Sequence, residues 1–141
     1  MRTLIITAFL AAASLVQAQE RTPSPAGAEV YIISPKDGAR VPVGKVLVQF
    51  GLQGMGIAPA GIKFDNTGHH HLLVDTDVPA DLSKPLPATD NILHFGKGQT
   101  ETTLTSLTPG KHTLQLVLGD LNHVPHDPAV ISKQITITVV K

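Results

Sequence analysis

The sequence contains no cysteine and no tryptophan, and it has one tyrosine and four phenylalanines among its 141 residues. Without a thiol the chain forms no disulfide, and blue copper centres, zinc ribbons, iron–sulfur clusters and thiol chemistry are excluded, because each needs a thiolate. So few aromatic rings leave few platforms on which bases or sugars stack. Charge is balanced, with 11 basic and 11 acidic residues scattered along the chain and no basic stripe. Nucleic acid is therefore not an expected partner. Nor does any stretch carry the 3.6-residue apolar stripe of an amphipathic helix.

What is present begins with a charged start, Met1-Arg2, an apolar run from Leu4 to Val16, and Val16-Gln17-Ala18-Gln19 with small side chains where a signal peptidase reads. The run is too short to span a bilayer, and residues 1–18 are expected to be a secretory signal cleaved after Ala18. The expected location is periplasmic or secreted, with no membrane span left after cleavage. Residues 19–28, with Pro23 and Pro25 and no periodicity, read as a flexible leader. Residues 29–141 then form a single domain, long enough to bury its own core without disulfides.

Within that domain the pattern is β throughout. Glu29-Val30-Tyr31-Ile32-Ile33-Ser34 is β-branched and stops at the turn Pro35-Lys36-Asp37-Gly38. Val46, Val48, Phe50 and Leu52 alternate with Leu47, Gln49 and Gly51, the period of two of a strand with one face in a core. A loop containing Met55 follows, and then a strand opened by His69-His70-His71 that runs to about Asp75. Proline punctuates the chain from Asp77 to Asp90, where a long connection or a short edge strand is expected. Gln99 to Leu107 reads as a threonine-rich strand, Lys111 to Leu118 as the cleanest strand of all, and Val130 to Val140 as the last. About seven short strands with turns between them predict an all-β, two-sheet sandwich of immunoglobulin or fibronectin type III style.

The seven histidines are the chemistry-bearing feature. In a sandwich of this kind the third and sixth main strands are antiparallel neighbours, so the start of the first and the end of the second share one end. His69, His70 and His71 thereby approach Asp120, His123 and His126, and the connection holding His94 should reach the same end. Alternation divides the triplet: His70 is expected to face the core and His69 with His71 to face away from it. His112 starts its strand at the opposite end and reads as structural, packed at the core margin or bonded to a turn carbonyl. Neutral imidazole is the commonest protein ligand for Zn²⁺ and Cu²⁺, and two histidines two apart on one strand face can share an ion. The expected metal ligands are His69, His71, His123 and His126, with His94, Asp120 and Met55 in reserve.

Other motifs carry less. Gly96-Lys97-Gly98-Gln99-Thr100 lacks the spacing of a phosphate loop, Asp75-Thr76-Asp77 lacks the further positions of a calcium loop, and no serine sits in a nucleophile elbow. The function expected from these residues is a non-enzymatic domain that carries or buffers Cu²⁺ or Zn²⁺. The alternative is a periplasmic adhesion or assembly module whose histidines are structural or pH-sensing and meet a partner protein.

Four blocks also carry a resemblance: Gly68-His69-His70-His71-Leu72-Leu73, His94-Phe95-Gly96-Lys97-Gly98-Gln99-Thr100-Glu101, Pro109 to Leu116, and Gly119-Asp120 with His123 to His126. Together they resemble an uncharacterised family of secreted bacterial domains, catalogued as a domain of unknown function. The resemblance covers residues 50 to 139 and implies an exported bacterial protein, with no activity attached.

Overall fold

Alternating apolar and polar side chains become strands wherever the alternation is sustained, and the computed structural model, which describes residues 20–141, has strands as its only regular elements. Among these residues the strands are β1 Glu29–Ser34, β2 Arg40–Pro42, β3 Val46–Gln53, β4 Gly56–Ile57, β5 Thr67–Val74, β6 Ile92–His94, β7 Glu101–Leu104, β8 Gly110–Gly119 and β9 Ile135–Val140. The expected signal segment, 1–18, lies outside the described residues. One sheet has the order β1-β3-β7. The other runs β2-β9-β8-β5-β4, with β6 added to β5 on the edge opposite β8. The two-sheet, immunoglobulin-like sandwich is thus present: six of its nine strands are expected ones, the proline-rich segment from Asp77 to Asp90 is a connection rather than an edge strand, and β2, β4 and β6 are short strands in which no period can be read.

Two expected strands are trimmed for visible reasons. The threonine-rich strand narrows to Glu101–Leu104. The last strand begins only at Ile135, because the chain breaks its ladder after Ile131, which bridges Val117, and the Ser132 hydroxyl takes the Leu116 amide at 2.8 Å. Ile131 consequently packs outside the main core rather than on one face with Ile135, Ile137 and Val139.

The main core lies between the sheets and contains Val30, Val48 and Phe50 from one, with Leu72, Leu114, Leu116, Leu118 and Ile137 from the other. A second, smaller core of Leu73, Leu86, Ile92 and Val117 covers the opposite face of β5 and β8. Strand β5 is therefore buried on both faces, every residue from Gly68 to Val74 being buried. A side chain that alternation directs away from the main core is still enclosed there. This is what makes the triple histidine unusual: three imidazoles at 1 to 2 % exposure.

The expected flexible leader is instead bonded into the domain. Thr22 accepts the Asp127 amide at 2.9 Å, Ser24 donates its amide to Asp127 at 3.0 Å, and Arg21 Nε donates to the Pro125 carbonyl at 2.9 Å. Arg21 also donates to the His126 carbonyl and stands 3.7 Å from the Asp127 carboxylate. No periodicity announces this contact, because it is made by backbone groups and one arginine rather than by an apolar face.

Candidate metal centre

The site is assembled from the inner strand outward. β5 and β8 pair with His69 opposite Gly119 and His71 opposite Val117, while β6 places His94 directly across from His71. His69 and His71 share the face away from the main core, as alternation requires. His70 takes the other face and lies against Phe50, ring centroids 5.0 Å apart, with Phe95 completing the aromatic group. The division of the triplet read from the sequence holds, although the outward pair is sealed beneath the second core and the loop after β8.

That loop delivers His123. Asp120 shapes it: one carboxylate oxygen accepts the amides of Asn122 and Val124 at 2.8 and 3.0 Å, and the other accepts the Thr22 hydroxyl at 2.6 Å. Its backbone closes the turn as well, through Asp120 N to Val124 O and His123 N to Asp120 O, each 2.9 Å. His123 is left in the left-handed region at φ 68°, a conformation costing a non-glycine residue of order 1–3 kcal/mol, which the surrounding bonds hold in place. Its Nδ1 comes 3.1 Å from His69 Nε2.

Four imidazoles thus converge: His69, His71, His94 and His123 each offer a nitrogen, and these atoms all lie within 4.8 Å of one another. The six ring-centroid separations are 4.8, 4.9, 5.0, 5.2, 5.9 and 4.6 Å. Zn²⁺ bonded to imidazole at 2.0–2.1 Å stands roughly 3.2 Å from the ring centroid, so four such rings at tetrahedral angles lie about 5.2 Å apart. The rings already stand at the corners of such a figure. Nitrogens bonded at 2.0–2.1 Å at tetrahedral angles stand about 3.3 Å apart, so bringing in a pair as wide as 4.8 Å takes an approach of about 1.5 Å shared between two rings.

Space for the rings comes from missing side chains. A Cβ on Gly119 would come within 2.6 Å of His71 Cε1 and 3.3 Å of the His123 Cα, so any other residue there displaces a ring. Gly96 stands in the same relation to the His94 ring.

Burial keeps the inner pair, His69 and His71, neutral. Burial lowers His69 to about 4, aided by the charges that His123 and His94 would carry, and lowers His71 to about 3, aided by His69, His94 and His123. His94 is lowered by burial and by His123. Nδ1 of His69 and of His71 are buried without a hydrogen-bond partner, as are both nitrogens of His70. Each such atom forgoes about 1–3 kcal/mol of solvation. Neutral, deprotonated imidazole is the form that binds a metal. A set of four nitrogens with no carboxylate suits Zn²⁺, Cu²⁺ or Ni²⁺ and excludes the hard, oxygen-seeking Ca²⁺ and Mg²⁺.

Two expected ligands stand apart from the four. His126 is fully buried, but its Nε2 donates to the Thr67 carbonyl at 3.1 Å, and it packs against Gly68 rather than the cluster. Asp120 spends its carboxylate on the loop, as described. Met55, another reserve, is partly buried against the main core. His94 moves the other way, from reserve to member, because a three-residue strand pairs it with His71. His112 is structural, as expected: its Nδ1 donates to Asp75 at 2.6 Å and its Nε2 to the Thr108 carbonyl at 2.7 Å.

The Arg21 and Thr22 contacts to the loop that carries His123, which no sequence signal announces, imply a measurable dependence. Replacing Arg21 by alanine removes a charged donor from the Pro125 and His126 carbonyls, a contact of about 1.5–3 kcal/mol, and is expected to speed amide exchange of Val124 and Asp127 about tenfold or more. Amides of β8 should be unaffected. Equal protection in the variant and the parent loop would show that the leader does not hold His123.

A two-sheet sandwich with four imidazoles gathered beside one end of its central strand defines the class: an all-β domain with a group of residues able to hold a metal ion. The chain belongs to a family described as a domain of unknown function, DUF4399, which matches residues 48–140. All four histidines fall within the matched span. No curated protein matches the chain. Among solved structures it is similar to the solution structure of the PKD domain from human KIAA0319, at 14 % identity and a TM-score of 0.38, over 92 % of this chain and 90 % of that one. Among the described residues no helix is long and apolar enough to cross a membrane.

Proposed function

We propose that the chain binds one Zn²⁺ or Cu²⁺ ion through His69, His71, His94 and His123 and acts outside the cytoplasm as a non-enzymatic carrier or buffer of that ion. The observation that carries the reading is the set of six ring separations, 4.6 to 5.9 Å, around a common centre. Of the two ions this arrangement favours Zn²⁺, because Cu²⁺ prefers a tetragonal set. Four protein ligands fill a tetrahedral ion, whereas catalytic zinc keeps one position open. That supports a role in holding the ion rather than in chemistry upon a substrate. Export rests on the reading of residues 1–18.

Calorimetric titration of the metal-free protein with Zn²⁺ and with Cu²⁺ tests the proposal. The parent should take up one ion, His112→Ala and His126→Ala should do the same, and a His69→Ala/His71→Ala double variant should lose the site. Equal affinity in the parent and the double variant would sink it.

A further inference from the structure

The four ligands are not equivalent, and their difference has a direction. His69 and His71 are 1 and 2 % exposed and project from β5, which is hydrogen-bonded along both edges and covered on both faces. His94 is exposed and sits on β6, a three-residue strand paired only to β5. His123 is half-buried and sits on a loop, held in a left-handed conformation. A cleft of about 210 Å³ opens onto this second pair and is lined by His71, His94, His123, Leu86, Pro87 and Ala88. Outside the histidines its walls offer no charged or ligating side chain, so a donor entering it meets only the ion's own ligands.

We infer that the ion is exchanged through this cleft by an associative route, an incoming nitrogen or sulfur donor displacing His94 or His123 while His69 and His71 stay bound. The inference rests on the metal reading and adds to it the face, the leaving ligands and the order of events. Zinc tolerates a fifth ligand transiently, so the donor bonds before either histidine leaves. Each step swaps one donor electron pair for another, and no proton or electron need be supplied when the entering group is neutral. An acceptor of this kind presents a nitrogen or sulfur donor slim enough to enter the cleft lined by His94, His123 and Ala88. The rigid pair retains the ion against dissociation, and the peripheral pair lets it leave on demand.

The experiment is stopped-flow transfer of Zn²⁺ from the loaded chain to free imidazole followed by a chromogenic pyridylazo chelator, and separately to the chelator alone. The rate should rise in proportion to imidazole concentration. Ala88→Trp, at an exposed position on the cleft wall, should slow transfer by about tenfold or more while leaving the equilibrium affinity within about twofold, because only the access route changes. His94→Ala should keep a weakened site and exchange faster than the parent. A transfer rate independent of imidazole, or an Ala88→Trp variant as fast as the parent, overturns the associative route and leaves metal binding intact. Failure of the loaded protein to form at all overturns both readings.

Discussion

Lowering the pH of the metal-free protein from about 7 to about 5 is expected to remove about 6 kcal/mol of folding stability, against a total of order 5–15 kcal/mol for a domain. The loss comes from three buried imidazoles. Burial holds His69 and His70 at about 4 and His71 at about 3, the His69 and His71 values being lowered further by neighbouring histidines. In the unfolded chain each returns to about 6.5. A base with a depressed folded value favours the fold while neutral, so its contribution is complete above pH ~6.5 and disappears as pH falls toward ~4. At pH 5 each unfolded histidine gains ~2 kcal/mol by protonation that the folded one forgoes.

His112 runs the other way. Burial alone would lower it, but the Asp75 hydrogen bond, the Thr108 carbonyl and the Asp75 charge together raise it. Its contribution is complete below ~6.5 and lost as pH rises through the raised value, so it adds nothing to the acid loss. Urea unfolding at about pH 7, 6 and 5 in the presence of chelator measures the balance, and a flat profile would contradict the enclosed state of the triplet. With Zn²⁺ present the loss should move to lower pH, because a ligated nitrogen accepts no proton until the ion leaves.

The legible part of this molecule was the part that repeats. β5 and β8 are long and regular, so their antiparallel pairing, the placement of His69 opposite the end of β8, and the inward turn of His70 all followed from a period of two. The choice between His94 and His126 did not follow. It depends on Ile92–His94, too short to show a period, and on a loop whose course is set by three hydrogen bonds to Asp120 rather than by any apolar pattern. A loop carrying two histidines three apart does not disclose which of them turns inward. The burial of the outward pair was equally hidden, because Leu86 and Ile92 of the second core lie in segments that read as connections, and Ile131, which packs against it, lies in a stretch that read as part of the last strand. Leu73, on the face that carries Asp75, was the one hint of it.

His71→Leu is expected to make the metal-free protein more stable and to cancel the stability that metal confers. The ring is 2 % exposed and its Nδ1 has no hydrogen-bond partner, so an apolar side chain of comparable size removes an unsatisfied polar atom worth about 1–3 kcal/mol. Zn²⁺ at about a thousand times its dissociation constant should add ~4.1 kcal/mol to the parent. With His71 gone, three ligands remain and the increment at the same concentration should fall below ~1 kcal/mol. His70→Leu separates packing from ligation: it removes a ring with two unpartnered nitrogens that faces Phe50 and not the cluster. That variant should be stabilised in chelator and should keep the full metal increment. Chemical denaturation of the three proteins, with chelator and with Zn²⁺, gives all six values. If His71→Leu instead weakened the metal-free fold as a core truncation does, by about 2–5 kcal/mol, the imidazole would be serving as packing and the site would need no ion to account for it. Neutral imidazoles crowded into a buried space, with Nδ1 of His69 and of His71 unpartnered, are an expense that folding alone does not require, and a bound ion gives the cluster a reason to exist.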